Sequence, residues 1–320
     1  MTGRIILLLL TVAGLLGAAF VVGSVGVTPV LTAIRAIGVV GYIVYCLYTA
    51  VVLGLLGVAW WAVALGHGGL RDYVWARTVR EAATDVLPFS QIGGLVVGGR
   101  VLVGRGIGGG LAYASMIADL TTEMASQAIF TLFGVAMLAL MLGGAADSGH
   151  LLGLALGGLG LTLAIVALLA FGQRPLIAFA GRVGERLLPK SIAATQSVLD
   201  RLDAIYGDRR GVIVSFVANL LAWVASGVGA WLALRLMAVD IGLIDVLAIE
   251  SLIFAVRSIA FVIPGAFGVQ EGAYLLVAPL FGLDPQTAVA LSLLKRARDL
   301  TIGVPAMLVW QAIEGRRLLA

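Results

Sequence analysis

The sequence predicts an all-α polytopic membrane protein, and three observations carry that expectation. Of its 320 residues 61% are hydrophobic and 12% charged, whereas a soluble chain carries about 25% charged residues. Apolar runs of roughly 20 residues recur along it, each long enough to cross about 30 Å of hydrocarbon. Arginines gather between particular runs, as they do on the cytoplasmic side of membrane proteins. With mean hydropathy +1.09, a water-soluble globular enzyme is excluded. The single cysteine, Cys46, leaves no disulfide framework and no thiolate cluster, so neither a metal nor a cofactor is expected.

The runs lie at about 5–23, 38–65, 111–142, 150–171, 212–238 and 286–313, with a more broken stretch at 246–281. The first follows Arg4 and reads as a retained span, because its apolar core outlasts a signal-peptide h-region. The stretch 66–110 holds Arg71, Arg77, Arg80, Arg100 and Arg105, and the basic stretch 172–211 reads as an amphipathic connector on the cytoplasmic surface. Arg4, Arg316 and Arg317 place both termini in the cytoplasm, so the number of full crossings is even. Trp60, Trp61 and Trp75 fit an aromatic belt at the membrane edge.

Two apolar segments are interrupted, about 71–110 by Pro88, Gly93 and Gly94, and 246–281 by Pro264, Gly265 and Gly268. Broken backbone at membrane depth is tolerated only where protein or a water-filled cavity surrounds it. The expected architecture is therefore about six full crossings plus two re-entrant broken-helix hairpins, or eight helices if the hairpins span. Residues 1–320 form one integral membrane domain in this reading.

The two breaks also repeat. Pro88 and Pro264 are 176 residues apart, and Glu81 and Arg257 each precede their proline by seven. Ala118-Asp119-Leu120-Thr121 is echoed by Arg298-Asp299-Leu300-Thr301. Loop charges run the span at 38–65 inward and its counterpart at 212–238 outward, so ranges 38–142 and 212–314 read as inverted copies, a transporter architecture.

Ionisable groups inside apolar segments each cost about 2.5–3.5 kcal/mol at a helix centre, and so need a partner or water. Ser115, Asp119, Glu123 and Gln127 recur every four residues and form one stripe. Ser292, Lys295, Arg296, Arg298 and Asp299 crowd the last long run, where Lys295 and Asp299 have the spacing of an i,i+4 ion pair. Glu250 and Arg257 lie two turns apart on one face, and Glu271 stands where a helix resumes after the glycines. Glu81, Pro88, Gln91, Gly93 and Arg100 complete the set from the first broken segment. One reading makes these groups the polar lining of a substrate path. The other makes them bundle-holding pairs, with Glu271 a helix cap.

The run Pro264-Gly265-Ala266-Phe267-Gly268-Val269-Gln270-Glu271, with Leu87-Pro88 upstream and Lys295-Arg296-Ala297-Arg298 downstream, resembles the flippase-like transmembrane domain of lysylphosphatidylglycerol synthases. Leu87-Pro88-Phe89-Ser90-Gln91-Ile92-Gly93-Gly94 is similar to the branch found with hopanoid biosynthesis. The resemblance implies lipid translocation or presentation across a bacterial inner membrane, with a hopanoid or other isoprenoid or anionic lipid as substrate. Membrane lipids, and lipid-biosynthesis enzymes, are the partners it implies, and no nucleic acid. Many members of that family have Gly-Glu after the first proline, where this chain has Gly93-Gly94, and Glu271 is the carboxylate that matches its motif.

No soluble aminoacyl-transferase domain accompanies these segments, His67 and His150 belong to no H-E-x-x-H motif, and no P-loop or G-x-S-x-G appears, so no enzymatic activity is expected. A small-solute or ion transporter and a non-catalytic scaffold for lipid-synthesis enzymes are the alternatives to lipid transport.

Overall fold

The computed structural model describes residues 27–86, 90–142, 191–259 and 268–319, with isolated positions between 153 and 167. The expected span at 5–23, nearly all of that at 150–171, and Pro88, Pro264 and Gly265 lie outside the described residues. Among the described residues there is no strand, and nine α-helices follow in order. They are α1 (Val27–Ala62), α2 (Leu70–Val86), α3 (Ser90–Gly104), α4 (Gly109–Leu142) and α5 (Ser191–Gly207). After these come α6 (Arg209–Leu236), α7 (Leu243–Ile259), α8 (Val269–Val277), a short 3-10 turn (Ala278–Phe281) and α9 (Pro285–Leu319).

Three of these helices are long and apolar enough to cross a membrane: Ile34–Ala62, Gly109–Met141 and Arg209–Leu236, at mean hydropathy 2.2, 1.8 and 1.9. Their outward faces are apolar, as Val39 (70%), Val40 (76%), Leu47 (67%) and Leu140 (77%) show by their exposure. Water does not stabilise such a surface, and lipid does. The chain is a multi-pass membrane protein. The first of these helices begins earlier than its apolar run, and non-helical Gly38 (φ 69, ψ 164) breaks it near the start of that run.

Two compact units make up the chain. Met1–Val52, Thr78–Gly98 and Ala225–Ala320 form the first; Leu53–Arg77 and Gly99–Val224 form the second. Each unit draws segments from both ranges of the expected repeat.

In the first unit, α7, α8, the 3-10 turn and α9 pack on one another. Every fourth or third residue of α9 faces this core, Ala288, Leu291, Ser292 and Lys295 all being buried. Tyr42 and Tyr48 of α1 anchor through their hydroxyls to Thr301 at 2.6 Å and to the Ala225 carbonyl at 3.0 Å. Between α2 and α3, Gly94 meets Thr84 so closely that a Cβ there would stand 2.1 Å from Oγ1 and 2.9 Å from the Arg80 carbonyl. This close approach of α2 and α3 depends on glycine at residue 94.

In the second unit, α4 packs against α5. The expected amphipathic connector is helical over this part: Leu202 and Ile205 are buried, while Gln196, Asp200, Arg201 and Asp203 face outward. Gly57 lies against Val74, with 2.3 Å from its would-be Cβ to Cγ2, the close approach that small residues allow between membrane helices. Trp60 departs from the aromatic belt expected of it. It is fully buried, edge-on to Tyr73 at 5.9 Å between ring centroids, and donates from Nε1 to Ser115 Oγ at 3.1 Å. Buried indole needs a hydrogen-bond acceptor, and Ser115 of the polar stripe supplies it.

Candidate functional site

The structure gathers the candidate residues into two clusters, one in each unit. In the first unit, α9 brings four charges within five residues, and α7 and α8 answer them. Lys295 donates to Glu250 and, at 2.9 Å, to the Tyr274 hydroxyl; Tyr274 in turn donates to Glu250. Glu250 and Tyr274 are fully buried and Lys295 is 2% exposed. The Lys295 ammonium also sits over two rings, 5.3 Å from the centroid of Phe254 and 5.5 Å from that of Tyr274. Desolvated cations on aromatic faces gain about 2 kcal/mol, part of what offsets the cost of burying this one.

At the next residue of α9, Arg296 Nε donates to Glu271 Oε1 at 3.1 Å. The other carboxylate oxygen, Oε2, accepts the Gly268 amide at 2.9 Å. Gly268 has φ 76, a conformation glycine adopts at no steric cost, and α8 starts directly after it. Glu271 therefore caps the first turn of α8 from its third position and is at the same time the counter-ion of Arg296. Gln270 Nε2 donates to Ser292 Oγ at 2.9 Å and closes the same contact from the buried face of α8.

The third pair corrects an expectation. Lys295 and Asp299 do not pair along the helix, because Glu250 takes the ammonium from across the core. Asp299 Oδ1 instead accepts from its neighbour Arg298, at 2.6 and 2.9 Å. Arg298 also donates to Tyr45 Oη at 3.0 Å, with its guanidinium 5.2 Å from that ring's centroid. Arg257, at the end of α7, lies 5.9 Å from the Phe254 ring. Glu81 and Asp85 of α2 share the electrostatic neighbourhood of Asp299, Arg257 and Arg296. Gln91 and Gly93 occupy the first turn of α3.

The second cluster hangs on one guanidinium. Arg77 Nη1 donates to Asp119 Oδ2 at 2.8 Å, and Nη2 donates to Glu123. Sequence reasoning places Arg77 and Arg80 among cytoplasmic loop cations, but both lie within α2, 1% and 3% exposed. The acidic stripe on α4 is what draws Arg77 inward. Asn219 of α6 adds donors from Nδ2 to Asp119 Oδ1 and Thr122 Oγ1, each at 3.2 Å, and Thr122 and Ser215 share a hydrogen bond of 2.7 Å. Ser115, Asp119, Glu123 and Gln127 are all buried, so the stripe faces protein. Arg100, at intermediate exposure on α3, belongs to the same unit.

Sequence reasoning passed over Tyr45, Asp85, Asn219 and Tyr274. Two of them carried a readable signal: Asp85 lies four residues after Glu81, and Asn219 is a lone amide inside an apolar run. The tyrosines carried none, since an aromatic ring in a membrane helix is usual. Among the described residues no group of three or more His, Cys, Asp and Glu side chains is placed to hold a metal ion.

A family profile described as Lysylphosphatidylglycerol synthase TM region matches residues 5–306. No curated protein and no solved structure matches the chain.

Proposed function

The chain belongs to the lysylphosphatidylglycerol synthase transmembrane family, and on that premise we propose that it moves or presents a lipid across the bacterial inner membrane, with the first unit's charge cluster receiving the polar head group. The observation that supports this reading is the arrangement of Lys295, Glu250 and Tyr274 beside Arg296 and Glu271, a set of paired charges at the start of α8. Each ion in it already has a partner of opposite sign, so a head group carrying phosphate, ammonium or both exchanges one ion pair for another without stranding a charge. The acyl or polycyclic body, a hopanoid or other isoprenoid among the candidates, stays in lipid. Glu271 is the residue at which exchange is easiest, with its side chain 24% exposed against 0% for Glu250.

In this reading the helix pairs α2–α3 and α7–α8 are the two re-entrant hairpins of an inverted repeat, both termini are cytoplasmic, and membrane lipids and lipid-biosynthesis enzymes are the partners. Chemistry on the lipid is assigned to other proteins. The test is transbilayer movement of head-group-labelled lipids in vesicles holding the purified chain. Glu271→Gln keeps the cap acceptor and removes the charge, and is expected to slow movement while leaving the fold intact. Movement at the wild-type rate in this variant removes the cluster from the transport path. Uptake of a soluble solute, insensitive to head group, replaces the lipid reading with that of a solute transporter.

A further inference from the structure

Serine and threonine hydroxyls along α4 follow a rule with one exception. Ser115, Thr121, Thr122 and Ser126 each donate to a carbonyl of their own helix, at 3.2, 2.8, 2.9 and 2.8 Å. That is the usual resort of serine and threonine within a helix. Thr131 on the same helix is fully buried, and its Oγ1 has no hydrogen-bond partner among the described residues. A second atom in the same unit shares this condition, the Oδ1 of fully buried Asn219. The orientation of that amide is fixed, because Nδ2 reaches both Asp119 and Thr122, and turning it over would set Oδ1 against the Asp119 carboxylate.

Buried acceptors find a donor, and in a polar setting where side chains do not supply one, water does. Ser115 and Thr131 are 16 residues apart. At 1.5 Å per residue the stripe extends about 24 Å along the helix, most of the roughly 30 Å depth of a bilayer's hydrocarbon. Successive four-residue steps turn it slowly around α4, and burial follows it: Ser115, Asp119, Thr122, Glu123, Gln127 and Thr131 are all buried.

We propose that this stripe binds a file of ordered water and forms a proton-transfer path through the second unit, with Glu123 as its relay carboxylate. Both oxygens of Asp119 are engaged, by Arg77 and by Asn219. Glu123 is the more open of the two acids, its side chain 11% exposed against 0%. Arg77 from α2 is paired with it, and Asp119 stands one turn earlier on its own helix; α6 brings the neutral Ser215, Asn219 and Trp223 to the stripe, and α5 brings Tyr206, which donates to Thr121. In the step itself a protonated water gives its proton to the Glu123 carboxylate, breaking one O–H bond and forming another. Glu123 then passes the proton to the next water, and net transport is one proton, driven by the membrane potential or a pH gradient.

The path rests on the second unit alone and is independent of the lipid reading. The full chain in phosphatidylcholine vesicles, with a trapped pH-sensitive dye and an imposed potassium-diffusion potential, reports it directly. Wild-type vesicles are expected to acidify several-fold faster than protein-free ones. Asn219→Leu, Thr131→Val and Glu123→Gln are each expected to return the rate to background, and Thr131→Ser, which restores the hydroxyl, to rescue it. Elution volume and thermal unfolding separate lost flux from lost fold, and Thr131→Val, the mildest change in shape, keeps the test decisive if Asn219→Leu misfolds. Wild-type flux no greater than that of empty vesicles, or wild-type flux retained in Thr131→Val, overturns the proposal. Lipid movement lost with proton flux intact, or the reverse, shows which of the two readings has failed.

Discussion

The two buried charge clusters solve one problem in opposite ways. In the first unit three cations of α9 each pair with a different acid, Lys295 with Glu250, Arg296 with Glu271 and Arg298 with Asp299. In the second unit a single arginine, Arg77, holds two acids, Asp119 and Glu123. One-to-one pairs, some partly open, can exchange partners singly. Removing the shared cation takes an ion-pair partner from two carboxylates at once, whereas a change at one acid leaves Arg77 paired with the other.

Arg77→Met is the change that strains this contrast most. Removing one member of a buried pair costs about 3–5 kcal/mol, and here two carboxylates lose their shared partner. Thermal unfolding in detergent is expected to show the largest loss of any single substitution, with little folded protein recovered. A small shift would mean that other donors carry the acids, and would erase the difference between the clusters.

Lys295→Met comes next. It leaves Glu250 buried with only the Tyr274 hydroxyl among the partners seen here, at a cost near the lower end of the same roughly 3–5 kcal/mol range. Adding Glu250→Gln removes the stranded charge and should recover most of the stability. The single and double variants, unfolded side by side, check that coupling, and additive losses would contradict the one-to-one pairing.

Glu271→Gln is expected to cost about 1 kcal/mol or less, since its carboxylate is partly exposed and solvent screens its pair with Arg296. Loss of function without loss of stability is what separates an exchangeable pair from a structural one.

Asp284→Ala, eleven residues before Lys295 in the chain, sets the scale at the small end. Asp284 accepts the amides of Gln286 and Thr287, both at 3.0 Å, at the start of α9. Losing such a cap costs about 1 kcal/mol. Hydrogen bonding from Thr287 holds its carboxyl below the usual aspartate range. Its contribution is therefore complete above the ordinary aspartate value of about 3.9 and lost as pH falls through the lower folded value. A pH series of unfolding midpoints should show that increment in the wild type and not in Asp284→Ala.

Much of this was legible in the sequence, for physical reasons. Apolar runs and charge placement announced helices in a membrane, and the four-residue recurrence of Ser115, Asp119, Glu123 and Gln127 announced a buried face. Glu271 was readable as a cap because it follows glycines that free the backbone. Partners across the core were not legible. Lys295 has Asp299 at a favourable spacing, yet tertiary packing gives the ammonium to Glu250 on another helix, and no local pattern reports such a choice. Arg77 was misplaced for a related reason: arginines near a membrane edge read as loop cations until an acidic stripe on a neighbouring helix is known to be waiting for one.

The most direct test of the central claim is mass spectrometry of the lipids that remain with gently purified protein, comparing wild type, Glu271→Gln and Asp284→Ala. Enrichment of one lipid class over the bulk membrane in the wild type and in Asp284→Ala, lost in Glu271→Gln, is the result expected if the first unit's cluster holds a head group. A bulk-membrane profile in all three, or an enriched class that survives Glu271→Gln, would contradict it.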